Sequence, residues 1–168
     1  MPNILAQDLI PPLADFSFTD NICQGKSSQL QAISTQHNLQ YQWQITGPSG
    51  TFQSNQAQWN PIFDSIGTHT ILLTVQLGTS VQSIQKQIRV LPNPKRNFDP
   101  TYTLCLGDTL QLFAGNPGAT YYWSNGYSSP SIIVTHSGTV KVRVYYQAGT
   151  CDSIFETKVF FVPKPQFN

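Results

Sequence analysis

The sequence has 168 residues, of which 39% are hydrophobic and only 10% are charged, and its net charge is +1. Typical soluble domains carry about 25% charged residues, so the polarity of this chain comes mainly from Gln, Ser, Thr and Asn. A near-neutral chain lacks the basic surface that gathers nucleic acid, and no apolar run reaches the roughly 18 residues of a membrane span. We therefore expect no nucleic-acid partner and no membrane insertion.

The chain opens with residues 1–12, which we interpret as a leader or linker. The segment "MPNILAQDLI" has neither the basic n-region nor the sustained apolar h-region of a secretion signal. Either a signal has been removed or the chain is an excerpt of a longer protein, and the sequence is consistent with both. The first predicted domain follows as residues 13–91.

Residues 13–91 carry the period of two that is typical of β-strands. In "YQWQI", Tyr41, Trp43 and Ile45 fall on one face and the glutamines on the other. In the later segment "GTHTILLTV", His69 falls on the inward register with the aliphatic side chains. We therefore interpret His69 as a structural histidine of the core.

Residues 47–62 make this domain longer than the related segment later in the chain. They are rich in Gly, Ser and Asn, a composition typical of exposed loops, so we predict a distinctive surface loop. Trp59 in this segment is a candidate contact for a ligand or partner. The alternative is that Trp59 closes the edge of the sandwich, because Trp59, Pro61 and Phe63 alternate along the chain.

Residues 92–97 form a proline-containing linker. Pro92 and Pro94 fix the backbone and favour an extended chain before each ring, so we expect the flanking domains to be held end to end. Residues 164–168 resume the same proline spacing. We interpret them as the start of a further linker or repeat, with Phe167 poorly packed.

The second predicted domain is residues 98–163. Its segment "TVKVRV" alternates valines with exposed charges, which indicates a strand with one buried face. The dipeptide Asn125-Gly126 predicts a two-residue hairpin turn, since both positions favour positive φ. Tyr127 follows this turn and is a second candidate for ligand or partner contact.

The two domains present the same landmarks in the same order. Cys23 and Cys105 each precede a strand that ends in tryptophan, at Trp43 and Trp123, and a glycine-threonine pair follows in both copies. Short strands, frequent turn signals and no helical periodicity indicate antiparallel sandwiches. The sequence therefore predicts an all-β chain made of two tandem antiparallel β-sandwiches.

The three cysteines are divided unequally between the copies. Cys105 and Cys151 both lie in the second copy, and we predict a disulfide between them that would stabilise the domain by about 4 kcal/mol at most. In the first copy Ser80 stands where Cys151 stands in the second. Cys23 is therefore predicted to be a free, buried thiol, with an intermolecular bridge as the alternative.

Two segments carry a resemblance to known families. "NPIFDSIGTHTI" is similar to the final strands of polycystic-kidney-disease (PKD) domains, and "LCLGDTLQLFAGNPGATYYWSNGYSSPSIIVTHSGTVKVRV" resembles Ig-like modules of large proteins exported by type IX secretion. The resemblance implies two tandem Ig-like (PKD-like) sandwiches in a modular protein of the cell surface or the extracellular space. It implies the other modules of the same parent protein as partners.

The residues give no sign of catalysis. His37, His69 and His136 are dispersed, the carboxylates form no paired motif, and the cysteines lack the companion ligands of a zinc site. We expect no catalytic residue, no metal and no cofactor. The resemblance implies a non-catalytic spacer or adhesive stalk, as in adhesins and gliding filaments. The alternative is a carbohydrate- or protein-binding accessory module of an exported enzyme.

Overall fold

The computed structural model describes residues 11–34, 36–146 and 150–165. For Thr150 it describes the backbone alone. The expectations for residues 1–10 and for Phe167 lie outside these ranges. Throughout the described residues the regular structure consists of β-strands, and no helix there is long and apolar enough to cross a membrane.

The chain divides into two compact units, residues 1–92 and 93–168. We refer to them as unit 1 and unit 2. The strands described in unit 1 are β1 (Phe16–Ser17), β2 (Asn21–Cys23), β3 (Lys26–Ser27), β4 (Leu30–Ala32), β5 (Gln40–Gly47), β6 (Gly50–Ser54), β7 (Gln58–Trp59), β8 (Ile62–Phe63), β9 (Gly67–Leu77) and β10 (Ser80–Leu91). The strands described in unit 2 are β11 (Thr101–Cys105), β12 (Leu110–Phe113), β13 (Thr120–Trp123), β14 (Ser131–Val134), β15 (Gly138–Tyr146) and β16 (Thr150–Val162).

Unit 1 is a sandwich whose larger sheet has the strand order β2-β10-β9-β5-β6. The opposing layer contains the order β1-β4-β7 and the short pair β3-β8. All neighbours are antiparallel except β2 and β10, which are parallel. Unit 2 repeats this plan, with a larger sheet β11-β16-β15-β13, a smaller sheet β12-β14, and β11 parallel to β16. The predicted all-β fold of two tandem Ig-like sandwiches is confirmed.

A buried tryptophan lies in the core of each unit. Trp43 and Trp123 have no exposed surface. The indole Nε1 of Trp43 donates to the Gln56 carbonyl at 2.7 Å, and that of Trp123 donates to the Ser129 carbonyl at 2.8 Å. The inward register predicted for Trp43 is confirmed by this burial. Buried polar groups are tolerated when they are hydrogen-bonded, and both indoles meet that condition.

Residues 47–62 do not form the predicted loop. Most of the segment is strand: β6 pairs with β5 from Trp43 opposite Ser54 to Gly47 opposite Gly50, and β7 and β8 join the opposing layer. The glycines and serines were misleading because they serve a tight turn and an exposed edge strand. The extra residues of unit 1 therefore widen its larger sheet by one strand.

The Asn125-Gly126 turn is also different from its prediction. The Gly126 N–H donates to the Trp123 carbonyl at 2.9 Å, and the Trp123 N–H donates to the Tyr127 carbonyl at 2.8 Å. Only Gly126 of the dipeptide has a positive φ, of 88°. The result is a three-residue loop with glycine in the left-handed position. β13 pairs with β15 in the larger sheet and the next strand, β14, lies in the smaller sheet, so β13 and β14 do not form a hairpin.

The predicted Cys105–Cys151 disulfide and the predicted free thiol at Cys23 are both wrong. Cys105 is a half-buried free thiol, whereas Cys23 and Cys151 are disulfide-bonded. Cys105 lies opposite Val162, and Cys151 lies near the other end of the 13-residue strand β16. At about 3.3 Å per residue this separates them by roughly 36 Å, whereas bonded cysteines have Cα atoms within about 7 Å.

We expect alkylation of the unfolded, unreduced protein to modify Cys105 alone. Maleimide in denaturant should add one mass increment, and peptide mapping should find it on Cys105. After reduction, Cys23 and Cys151 should also react. Labelling of Cys23 or Cys151 without reductant, or protection of Cys105, would contradict the assignment.

Candidate functional site

The best-connected ion pair of unit 1 joins its two layers. The Lys86 Nζ donates to the Asp15 Oδ1 at 2.7 Å and to the Phe16 carbonyl at 2.5 Å, and it lies 4.7 Å from the centre of the Phe16 ring. The hydrogen bond from Lys86 lowers the pKa of the Asp15 carboxyl, with a smaller contribution from the Phe16 N–H. A lowered pKa stabilises the fold above the ordinary carboxyl value of about 3.9, and that contribution is lost as the pH falls through the folded-state value. The pair is therefore structural.

His69 lies inward, as its register predicts, and is almost fully buried at 1% exposure. Its ring packs edge-on against Phe63, and its Nε2 is 3.0 Å from the Ser65 Oγ. Because the Ser65 hydroxyl donates to the Ser49 Oγ at 3.0 Å, His69 is the donor in its bond with Ser65. A nucleophilic serine needs the opposite polarity.

The space beside His69 is too small for a substrate. The adjoining cavity has a volume of about 10 Å³ and includes Asp64 and Phe52 in its wall, which is room for about one water molecule. The other two histidines are both exposed, and the His136 Nδ1 bonds the neighbouring Thr135 hydroxyl at 2.8 Å. The described histidines therefore do not converge on one site.

Trp59 is not part of an exposed aromatic platform. It lies on β7 opposite Leu30, half-buried, and packs against the core of unit 1. Pro61 and Phe63 are buried on the same register. This arrangement matches the alternative interpretation, in which Trp59 closes the sandwich edge.

Tyr127 is exposed, with 62% of its surface accessible. Together with Gln111, Ser129 and Ile133 it lines a shallow cleft of about 350 Å³ outside the smaller sheet of unit 2. Its carbonyl closes the turn after β13. The structure thus separates the two candidates: Trp59 serves packing, and Tyr127 faces solvent.

A second cleft, larger than the one at Tyr127, lies in unit 1, and it was not predicted from the sequence. It has a volume of about 440 Å³, and we call it the amide cleft. Its walls are Leu39, Gln40, Tyr41, Gln42, Asn55, Thr74 and Gln76. The register of β5 and β9 assembles it, because Gln40 lies opposite Gln76 and Gln42 lies opposite Thr74. Strand residues hold these side chains on a firm sheet.

The sequence signal for this cleft is the row of glutamines on the solvent face of the strand. In "YQWQI" the apolar residues were assigned to the core, and the alternate glutamines were treated only as the solvent face. Gln40 and Gln42 lie on that face with Gln76 from β9. A dense row of amides with no charge among them is unusual for a sheet surface, where charges are common.

The described residues contain no candidate metal-binding cluster. There, no group of three or more His, Cys, Asp or Glu side chains could hold an ion. The ion pairs Lys141–Glu156 and Arg143–Asp152 of unit 2 have distances of 3.1 and 2.5 Å and join neighbouring strands. In each pair a cation on β15 meets a carboxylate on β16, as in ordinary surface ion pairs.

Comparisons with known proteins give structural neighbours only. No family model and no curated protein matches the chain. The chain is similar to an I-band fragment of titin, with 12% identity and a TM-score of 0.49, covering 90% of this chain and 66% of that one. It is similar to the four N-terminal Ig domains of Dscam1 isoform 6.9, with 14% identity and a TM-score of 0.42, covering 84% of this chain and 42% of that one. It is also similar to carbohydrate-binding modules of the β-sandwich superfamily, with 13% identity and a TM-score of 0.46, covering 80% and 54%.

These neighbours are distant, and the chain spans less than half of the Dscam1 structure, at 42%. The fold assignment rests on the strand order and registers of the chain itself.

One glycine shows how tightly the His69 site is packed. A Cβ added to Gly47 would lie 2.0 Å from the His69 Cδ2, so we expect Gly47→Ala to destabilise unit 1 by about 2 kcal/mol or more through overpacking. His69→Ala removes the ring and should relieve most of that cost in the double variant. Chemical denaturation of the four proteins gives the coupling energy.

Gly78→Ala is the matched control. Its added Cβ would have no atom within 4 Å, and its φ is 57°, so it should cost only the left-handed backbone penalty of about 1 kcal/mol. That cost should add to the cost of His69→Ala without coupling. Additive behaviour of Gly47→Ala with His69→Ala would contradict the packing described here.

Proposed function

We propose that the chain is a non-catalytic spacer or adhesive stalk segment of a larger bacterial protein of the cell surface or the extracellular space. Residues 13–91 and 98–163 would be its two modules and residues 92–97 the linker. The resemblance of the sequence to PKD-like and Ig-like modules of proteins exported by type IX secretion supports this assignment. An adhesin or a gliding filament is the kind of parent protein that it suggests.

The observation that carries the proposal is the pairing of the first and last strands of each larger sheet. β2 runs parallel to β10 over Asn21–Cys23, and β11 runs parallel to β16 over Thr101–Cys105. A pull on the two ends of one unit draws these parallel neighbours past each other along their length. The bonds between them then resist together, instead of opening one after another. Such a closure suits a module that transmits tension.

The cysteine chemistry supports an extracellular location. Disulfides persist in oxidising compartments and are rare in the reducing cytosol. Cys23 and Cys151 are disulfide-bonded. A disulfide also stabilises the folded protein, because it constrains the unfolded chain.

The clefts are consistent with a non-catalytic role. The amide cleft and the Tyr127 cleft are lined by amides, hydroxyls and apolar groups, with no carboxylate, imidazole, amine or thiol. General acid–base and nucleophilic catalysis use such groups. Trp59, one of the two candidate contact residues, is packed against the core, so we do not base a second function on it.

Force spectroscopy on the whole chain tests the proposal, in reductant so that no disulfide at Cys23 or Cys151 carries the load. Leu106 follows β11 directly, its side chain is 56% exposed, and its N–H donates to the Val162 carbonyl at 2.8 Å. Leu106→Pro removes this N–H and should lower the unfolding force of unit 2, with about 1 kcal/mol of stability lost. The force peak of unit 1 should not move.

Leu106→Ala is the control, because it shortens the same exposed side chain and keeps the N–H. It should leave both force peaks in place. The spacer proposal fails if the wild-type units extend without a resolvable force peak. It also fails if Leu106→Pro and Leu106→Ala have the same effect on unit 2.

A further inference from the structure

We propose that the amide cleft of unit 1 binds a neutral carbohydrate chain. This goes beyond the spacer role and does not depend on it: a stalk can transmit tension whether or not one face recognises a glycan. The site differs from Trp59 and Tyr127 in position and in chemistry. It is carried by three observations, on the charge of the face, the state of its amides and its shape.

The outward face of the larger sheet in unit 1 is polar but almost uncharged. Rows of directly opposed residues cross the strands, as in Gln85, Leu72, Gln44 and Gln53. The outward side chains of four strands are Val81, Ser83, Gln85, Gln87 and Arg89 on β10, Thr68, Thr70, Leu72, Thr74 and Gln76 on β9, Gln40, Gln42, Gln44 and Thr46 on β5, and Thr51 and Gln53 on β6. Among these described residues the single ionisable group is Arg89, near the end of β10 and outside the cleft.

The corresponding face of unit 2 shows that charge is not excluded by the fold. There the outward residues of β15 and β16 form the pairs Lys141–Glu156 and Arg143–Asp152. The guanidinium of Arg143 also lies 5.1 Å from the centre of the Tyr145 ring. The same position in the repeated plan is therefore ionic in one unit and neutral in the other, which indicates a specific role for the neutral face.

Two amides in the cleft are not used by the protein. Within the described part of the chain, the side chains of Gln40 and Gln42 make no hydrogen bond, and both residues are exposed. Gln76 is also exposed, although its Nε2 donates to the Gly78 carbonyl at 2.9 Å. Each free amide offers two donors and one acceptor oxygen. Sugar hydroxyls both donate and accept, so an amide can engage two neighbouring hydroxyls at once.

The cleft has a suitable size and a rigid base. Its volume of about 440 Å³ lies in the usual range for small-molecule sites, about 300–1,000 Å³. Directly opposed residues such as Gln40 and Gln76 have Cβ atoms about 5 Å apart, comparable to the width of one sugar ring. Tyr41 contributes to one wall of the cleft, and its half-buried side chain packs against the core of unit 1.

Other occupants fit this chemistry less well. An anion or cation would find no opposite charge in the lining of the cleft. A protein partner normally needs a buried centre of aromatic or other large apolar side chains. On the outward face of β5, β6, β9 and β10 the large apolar side chains are Leu72, which is half-buried, and Val81, which is exposed opposite Gln76. Two such side chains do not make a buried apolar centre. A second copy of the chain would meet the same shortage.

Titration of the whole chain, labelled with ¹⁵N, tests the proposal. The probes are neutral hexasaccharides of glucose, mannose, galactose and xylose in α and β linkages, together with an oligogalacturonate as the anionic comparison. We expect at least one neutral probe to shift the amides of β5 and β9 saturably, with a Kd of about 0.1–1 mM. The oligogalacturonate should not do so.

The double variant Gln40→Ala/Gln42→Ala should weaken that binding about tenfold or more, since it removes two hydrogen-bonding groups. Gln85→Ala/Gln87→Ala is the matched control: the same residues on the same exposed face, outside the cleft. It should change the Kd by less than about twofold, because additivity holds for sites without shared contacts. Dispersed spectra of both variants check that they fold.

The proposal is overturned if no neutral probe binds at about 10 mM, or if both double variants weaken binding equally. It is also overturned if the shifts depend on protein concentration alone and disappear in Gln40→Ala/Gln42→Ala, because the occupant is then a second copy. None of these results touches the force peaks, so the spacer proposal is tested separately.

Discussion

Each unit depends on the parallel pairing between the first and the last strand of its larger sheet in chain order. We call these the entry strand and the exit strand. β2 and β10, like β11 and β16, bring the start and end of a unit's larger sheet side by side. The pairing buries Ile22 and Val90 in unit 1 and Val159 in unit 2. It makes the exit strand an inner member of its sheet, so that β9 and β5 follow in order and their outward residues form the neutral face. The same pairing places Cys23 opposite Leu91 in unit 1. In unit 2 it places Cys105 opposite Val162, at the far end of β16 from Cys151.

In each unit the buried tryptophan anchors the segment that connects the larger sheet to the opposing sheet. A buried indole N–H must find an acceptor or lose the energy of its hydration. Trp43 takes the carbonyl of Gln56, which follows β6, and Trp123 takes the carbonyl of Ser129, which precedes β14. The chain between the two layers is therefore tied to the core in both units. Unit 1 has room in this segment for an extra edge strand, and the added strand carries Asn55 to the amide cleft.

Much of this architecture could be predicted from residue periodicity, and the exceptions have physical reasons. Alternation predicted that Trp43 and His69 point inward, because successive side chains of a strand point to opposite faces. Register across strands is not local, so the sequence could not show that β11 runs parallel to β16 and carries Cys105 away from Cys151. Gly and Ser in residues 47–62 are equally compatible with a loop and an exposed edge strand. The amide cleft depends on Gln40 lying beside Gln76, a pairing between residues far apart in the chain.

Native-state hydrogen exchange of the closing amides tests the central claim most directly. The amide of Leu106 donates to the Val162 carbonyl, and that of Lys158 donates to the Pro100 carbonyl, at 2.8 and 3.0 Å. If the parallel pair holds unit 2 shut, these amides exchange only by global unfolding, as slowly as the amide of Trp123 in the core. Fast exchange of Leu106 and Lys158 while Trp123 stays protected would show that the ends fray, and it would contradict the account.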